Sequence, residues 1–196
     1  VFNNVQINDT RIYLLDIILI NNFFNYFFVT FCLLIVVNGT NFIDGMNTLS
    51  IGHYLSISFI IFLLSLNDKI EIQDISIIYI VILLACAFLL NMYNQLYLGD
   101  SGSYLLGFSF STFLISIYNW NPTISPFFII LLLLYPCYEN LFSILRKNIL
   151  KRSPMNPDAM HIHQLIFYYI TKRFKLNIIT ANLLTAQIIN LFNLSI

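Results

Sequence analysis

Apolar residues run in long blocks along this chain, separated by short polar stretches. Blocks approaching or reaching the about 17–25 apolar residues that a membrane span takes fall at residues 23–37, 51–66, 75–90, 104–118, 127–145 and 176–196. They predict an all-α fold, a polytopic transmembrane helix bundle of roughly six spans, the last block being the most polar. Residues 1–16 instead alternate apolar and polar positions in places, as in Val5-Gln6-Ile7-Asn8, which suits an extended segment outside the bilayer. No internal repeat or low-complexity linker divides the chain, so residues 1–196 are expected to form a single transmembrane domain.

Composition sharpens this picture. Hydrophobic residues make up 59% of the chain and charged residues 9%, with a mean hydropathy of +0.81; a soluble domain carries about 25% charged residues. The formal net charge is zero, and no basic stripe with interleaved aromatics marks a nucleic-acid binder. Cys32, Cys86 and Cys137 lie far apart within apolar blocks and read as small core residues, neither a disulfide framework nor a thiolate metal site.

The distribution of charge sets an orientation, because cytoplasmic loops carry the excess of Lys and Arg. Seven of the nine basic residues lie between Arg146 and Lys175, so that segment is expected to face the cytoplasm. Alternating the spans then puts residues 38–50 and 91–103 on the same cytoplasmic face as 146–164, with 67–74 and 119–126 outside. The three loops richest in polar residues thus share one side of the membrane.

Each of these loops carries candidate chemistry. An ionised carboxylate near a bilayer is costly, about 2.5–3.5 kcal/mol at a helix centre, and is retained mainly for ions, protons or substrates; Asp100, between two apolar blocks in Gly99-Asp100-Ser101-Gly102-Ser103, is such a residue. Asn38, Asn41 and Asp44 are spaced by three residues and share a face if the preceding helix continues through them, presenting oxygens of the kind hard cations prefer. Capping of helix ends is the alternative reading for both loops. In the third loop His161 and His163 are two apart among basic residues that include Arg152. An extended backbone would aim both rings one way, and with no third soft ligand nearby the pair suits a phosphate better than zinc. Together the loops suit a magnesium-bridged diphosphate at the inner membrane surface.

The stretches Asn38-Gly-Thr-Asn41-Phe-Ile-Asp44-Gly45-Met, Leu98-Gly99-Asp100-Ser101-Gly102-Ser103 and Pro157-Asp158-Ala-Met-His161-Ile-His163-Gln164 resemble, in the same order, those of the polyprenyl-phosphate N-acetylhexosamine-1-phosphate transferases. This is the group, within glycosyltransferase family 4, of the undecaprenyl-phosphate N-acetylglucosamine-1-phosphate transferase and the phospho-N-acetylmuramoyl-pentapeptide translocase. The loops look closest to members that start O-antigen or other surface polysaccharides. The resemblance implies transfer of a sugar 1-phosphate from a UDP-N-acetylhexosamine to polyprenyl phosphate, with release of UMP, in the bacterial inner membrane.

By position, the resemblance implies Asn41 and Asp100 as ligands of magnesium, or manganese in its place. Asp44 and Asn47 would lie near the nucleotide, Tyr97 would stack on uracil, and Asn91 would contact uridine, one residue out of the family's spacing. His161 and His163 would meet the diphosphate. Catalysis is thereby assigned to Asp44, Asp100, His161 and His163, and substrate contact to Asn38, Asn47, Asn91, Tyr97 and Arg152; homodimerisation stays open. Where many relatives carry Asp-Gly, this chain has Asn47-Thr48, and the family's adjacent Asp pair has no counterpart, since Asp9 and Asp16 fall outside in the topology above. The expectation is a member shortened at its N-terminus. A small ion-coupled transporter using Asp44 and Asp100, or a structural subunit, are the competing readings.

Overall fold

The computed structural model describes residues 5–72, 77–151 and 160–195. Among them every regular element is a helix: α1 (Tyr13–Leu19), α2 (Asn22–Ile43), α3 (Leu49–Leu66), α4 (Ile77–Met92), α5 (Gly99–Trp120), α6 (Pro126–Leu132), α7 (Leu134–Ile149), α8 (Ile162–Phe174) and α9 (Ile178–Ser195). The extended reading of residues 1–16 gives way to helix from Tyr13. There the Asp16 carboxylate accepts hydrogen bonds from Thr10 N and Oγ1, at 2.7 and 2.6 Å, and the chain turns into α1.

Six spans are not shown. Among the described residues α2, α3 and α9 are long and apolar enough to cross a membrane, and the count reaches four if α6 and α7, bent by 74°, form one broken span. By length and composition of their described residues, the remaining two blocks are not counted among them, for different reasons. The 16 residues of α4 rise about 24 Å, less than the about 30 Å of a hydrocarbon core. The 22 residues of α5 suffice in length, but its serines and glycines dilute its apolar character.

Those small residues serve packing. A Cβ at Gly107 of α5 would lie 2.7 Å from Thr40 Oγ1 and 3.0 Å from Val37 Cα, so only glycine lets α5 lie this close to α2. On the other flank of α2, a Cβ at Gly39 would collide with the backbone carbonyl of Pro136 on α7. The central helix α2 is thus held between α5 and α7, while α3 packs on α4 and α9, and α8 on α9. Tyr54 of α3, fully buried, joins the two groups: it shares a short hydrogen bond with Thr40 and stacks at 4.6 Å on Phe110 of α5.

The bundle has two polar ends. At one, Asn121 receives Glu71 N and donates to Glu71 O, at 2.6 and 2.9 Å, and Asn119 donates to Gln6 O at 2.8 Å. At the other end the α2–α3, α4–α5 and α7–α8 connections come together.

Candidate functional site

Helix α2 does run on through the first polar loop, carrying Asn38 and Asn41 in its last turns and ending at Asp44, whose N–H returns to Asn41 O. Asn38 is exposed and donates back to Leu34 O at 2.9 Å. Asn41 reaches across to α5: its Nδ2 donates to Asp100 Oδ1 at 2.9 Å and to Ser103 Oγ at 3.2 Å. Asp100 does not cap α5. A positive φ at Gly99 turns the chain so that Asp100 falls in the first helical turn, where a negative charge is favoured by the aligned peptide dipoles and the carboxylate faces Asn41. Asp44 feels that charge. Burial first, and Asp100 second, push its carboxyl up to about 7, because crowding two carboxylates disfavours ionising both.

The next residues of the same loop are locked. Thr48, at φ 67°, donates its N–H to Asn91 Oδ1, while its carbonyl accepts from Asn190 Nδ2 at 3.0 Å and its hydroxyl oxygen accepts from Gln187 Nε2 at 2.9 Å. The Asn91 amide also donates to Leu96 O at 2.6 Å, so this buried side chain is used at both ends in tying the α2–α3 connection to the α4–α5 connection. Asn47 donates to Asn94 Oδ1 at 2.5 Å and Asn91 O at 3.3 Å. Tyr97 stays exposed, its hydroxyl 3.3 Å from Asn94 Oδ1, with its ring face open to a planar group.

The histidines arrive from the α7–α8 connection. His161 has an extended backbone and His163 opens α8, so the rings lie parallel, 5.5 Å apart and 7° from coplanar orientation. His161 packs 5.1 Å from the Phe42 ring. His163 is fully buried beside Gly45, where a Cβ would come within 2.9 Å of its Nε2. Burial, reinforced by His161 and opposed by Glu139, pushes the His163 imidazole down to about 4. Arg152, together with Pro157 and Asp158 of the third motif, lies outside the described residues.

Glu139 escaped the sequence reading. It sits on α7 with 1% exposure, one oxygen 2.8 Å from His161 Nδ1 and the other accepting Ile162 N–H at 2.9 Å. Arg146, two turns further on, donates to Met160 O at 2.7 Å. The signal was present: Glu139 is the lone acid of the apolar block 127–145, the argument already applied to Asp100. Asn94, Asn182 and Asn190, which buttress the loops, carried no such signal.

The donors at Asn41, Asp44 and Asp100 are all oxygen or amide groups, as a hard cation requires. Asn41 turns its nitrogen to Asp100, so in this arrangement it orients the carboxylate. Among the described residues no group of three His, Cys, Asp or Glu side chains is placed to hold a metal.

Apolar helices that end in a carboxylate pair with a histidine pair nearby define a helical membrane protein with a polar cluster at one end of its bundle. The chain belongs to glycosyl transferase family 4, which it matches over residues 1–118. It is 30% identical over 131 residues to a probable undecaprenyl-phosphate N-acetylglucosaminyl 1-phosphate transferase of Bacillus subtilis, covering 65% of this chain and 36% of the relative. To the undecaprenyl-phosphate alpha-N-acetylglucosaminyl 1-phosphate transferase of Thermotoga maritima it is 30% identical over 139 residues, 70% and 41% of the two chains. With the decaprenyl-phosphate N-acetylglucosaminephosphotransferase of Mycolicibacterium smegmatis it shares 28% over 149 residues, 65% and 37%. The chain therefore spans well under half the length of these relatives. No solved structure matches it.

Proposed function

We propose that this chain forms the transfer site of a polyprenyl-phosphate N-acetylhexosamine-1-phosphate transferase, moving the sugar 1-phosphate of a UDP-N-acetylhexosamine onto polyprenyl phosphate and releasing UMP at the cytoplasmic face of the membrane. The observation that carries the reading is that Asn41 holds Asp100 beside Asp44 at the end of α2, while His161 packs on Phe42 and His163 beside Gly45 of the same segment. The names of the relatives support it over an ion-coupled transporter.

The acceptor needs little deprotonation, since a phosphate monoester has its second pKa near 6 and is largely dianionic at neutral pH. The task is to bring two anions together. Asp100, oriented by Asn41, and Asp44 would hold magnesium, which supplies charge neutralisation on the diphosphate. Glu139 fixes the His161 ring through Nδ1 and leaves Nε2 for a phosphate oxygen. His163, fully buried, backs the His161 ring from beside Gly45 and meets no substrate itself in this arrangement. Tyr97 presents a face to the uracil ring. The apolar cavity of about 370 Å³ between α2, α5 and the α6–α7 pair, lined by Phe28, Val36, Ile115 and Leu133 among others, would take the isoprenoid chain.

The test is magnesium-dependent formation of polyprenyl-diphospho-sugar by membranes holding this chain, offered labelled UDP-N-acetylglucosamine and UDP-N-acetylgalactosamine. Product that vanishes with Asp100→Asn is expected. Absence of product from a chain confirmed in the membrane, or undiminished turnover by the variant, overturns the reading for this chain.

A further inference from the structure

Ser103 lies in the first turns of α5 with no exposed surface, and its hydroxyl joins α5 to the end of α2. It donates to Asp100 O at 3.0 Å, a backbone bond that a helical serine can make unaided. The same oxygen receives Asn41 Nδ2 at 3.2 Å, while that nitrogen also donates to Asp100 Oδ1 at 2.9 Å. A side-chain amide nitrogen carries two hydrogens and a serine hydroxyl one. Every hydrogen that Asn41 and Ser103 can donate from their side chains is therefore committed within this group.

That accounting fixes which end of the Asn41 amide faces α5. Because the Ser103 hydrogen goes to Asp100 O, its hydroxyl oxygen can only accept from Asn41. Turned over, the amide would set its own oxygen against the oxygens of Ser103 and Asp100, with no hydrogen at either contact. Asp100 favours the same orientation, but a cation drawing on that carboxylate competes with Asn41 Nδ2 for it. Ser103 is uncharged and buried, stands outside that competition, and keeps the nitrogen on α5. Among the described residues no hydrogen bond reaches Asn41 Oδ1, and this atom is not sealed from solvent. It remains open next to the Asp100 carboxylate, and oxygen is the donor that a hard cation takes. Packing holds the contact in place: one turn beyond Ser103, a Cβ at Gly107 would lie 2.7 Å from Oγ1 of Thr40, the neighbour of Asn41.

We propose that Ser103 is a positioning residue of the metal site, its hydroxyl anchoring Asn41 Nδ2 so that Oδ1 is the end offered to a divalent cation. The inference rests on the transfer reading above, since it needs Asn41 and Asp100 to serve a cation.

The experiment measures metal binding directly, on the whole chain in phosphatidylcholine nanodiscs. Manganese is the probe, its free fraction read by electron paramagnetic resonance and its displacement followed with magnesium. Wild type, Ser103→Ala, Asn41→Ala and the double variant form a cycle. Ser58→Ala is the control for losing a buried helical serine, since Ser58 is equally buried and donates to Tyr54 O at 2.8 Å. Ser103→Ala should bind manganese several-fold more weakly, and Ser103→Cys, whose thiol accepts only weakly, should fall between it and the wild type. The double variant should bind no more weakly than Asn41→Ala, because the hydroxyl has nothing to position once the amide is gone. Ser58→Ala should keep wild-type affinity. Losses that multiply in the double variant, unchanged affinity in Ser103→Ala, or an equal loss in Ser58→Ala overturn the role of Ser103 while the transfer reading stands. A wild-type chain that binds no manganese overturns the metal site and this inference together.

Discussion

His161 Nδ1 lies 2.8 Å from Glu139 Oε2, and both residues are nearly sealed from solvent, at 6% and 1% exposure. The second Glu139 oxygen takes the N–H of Ile162, so one carboxylate fixes both the ring and the backbone that carries it. Glu139→Gln keeps an acceptor and should slow sugar-phosphate transfer about tenfold to a hundredfold, as for other groups that orient an imidazole, with little change in melting temperature. Glu139→Ala breaks a buried pair and should also destabilise the chain by about 3–5 kcal/mol. Turnover and thermal melts of the two variants distinguish orientation from folding.

His163 makes stability depend on pH. Its imidazole titrates near 6.5 when unfolded and about 4 when folded, burial being the main cause. Between those values the unfolded chain binds more protons, so stability falls as pH drops from about 6.5 to about 4 and is level above. The loss should approach about 3 kcal/mol, read as the difference in melting behaviour between the wild type and His163→Gln across that window. A difference that stays flat with pH would refute it.

Asp44 acts with the opposite sign. Its carboxyl moves from 3.8 unfolded to about 7 folded, so the folded chain holds the extra proton and stability declines as pH rises from about 4 to about 7. Millimolar magnesium favours the ionised form and should move the Asp44 midpoint downward. Infrared titration of the carboxyl signal lost in Asp44→Asn, with and without magnesium, measures it.

Gly39 is where α2 and α7 touch. In Gly39→Ala the new methyl meets the Pro136 carbonyl, which cannot rotate away, so the helices must separate. Overpacking of this kind costs about 1–3 kcal/mol or more. The melting temperature should fall, while the same substitution at Gly99, which has nothing within 4 Å of its Cβ, should show only the strain of its positive φ.

Asn91 is the tie between two loops. Asn91→Ala strips partners from the Thr48 N–H and the Leu96 carbonyl, at about 1–3 kcal/mol for each buried group left unsatisfied. Amide hydrogen exchange at 47–49 should speed up selectively, with exchange in α2 unchanged.

Much of this was legible in the sequence. The apolar blocks gave the helices, and the cost of a charge near lipid singled out Asp100. Spacing said what Asn38 and Asn41 would share if α2 ran on, as it does; the parallel rings of His161 and His163 arise differently, with only His161 extended and His163 already in α8. The role of Gly107 in α5 was not legible, because its contact with Thr40 and Val37 exists only once α5 packs on α2. Nor was the engagement of Asn91, which the structure places in the last turn of α4: an asparagine looks the same in sequence whether its amide awaits a ligand or closes the fold.

The sequence by itself determined the helical class, the polar loops and the residue types available for chemistry, because transfer energies and helical periodicity act over neighbouring residues. Only the tertiary structure decided that Asn41 meets Asp100 across 59 residues, that Glu139 holds His161 and that His163 is shut from water beside Gly45. Those pairings depend on which helix surfaces lie close enough to pack, through Gly39 on Pro136 and Gly107 on Thr40, a property of whole helices that no local pattern records.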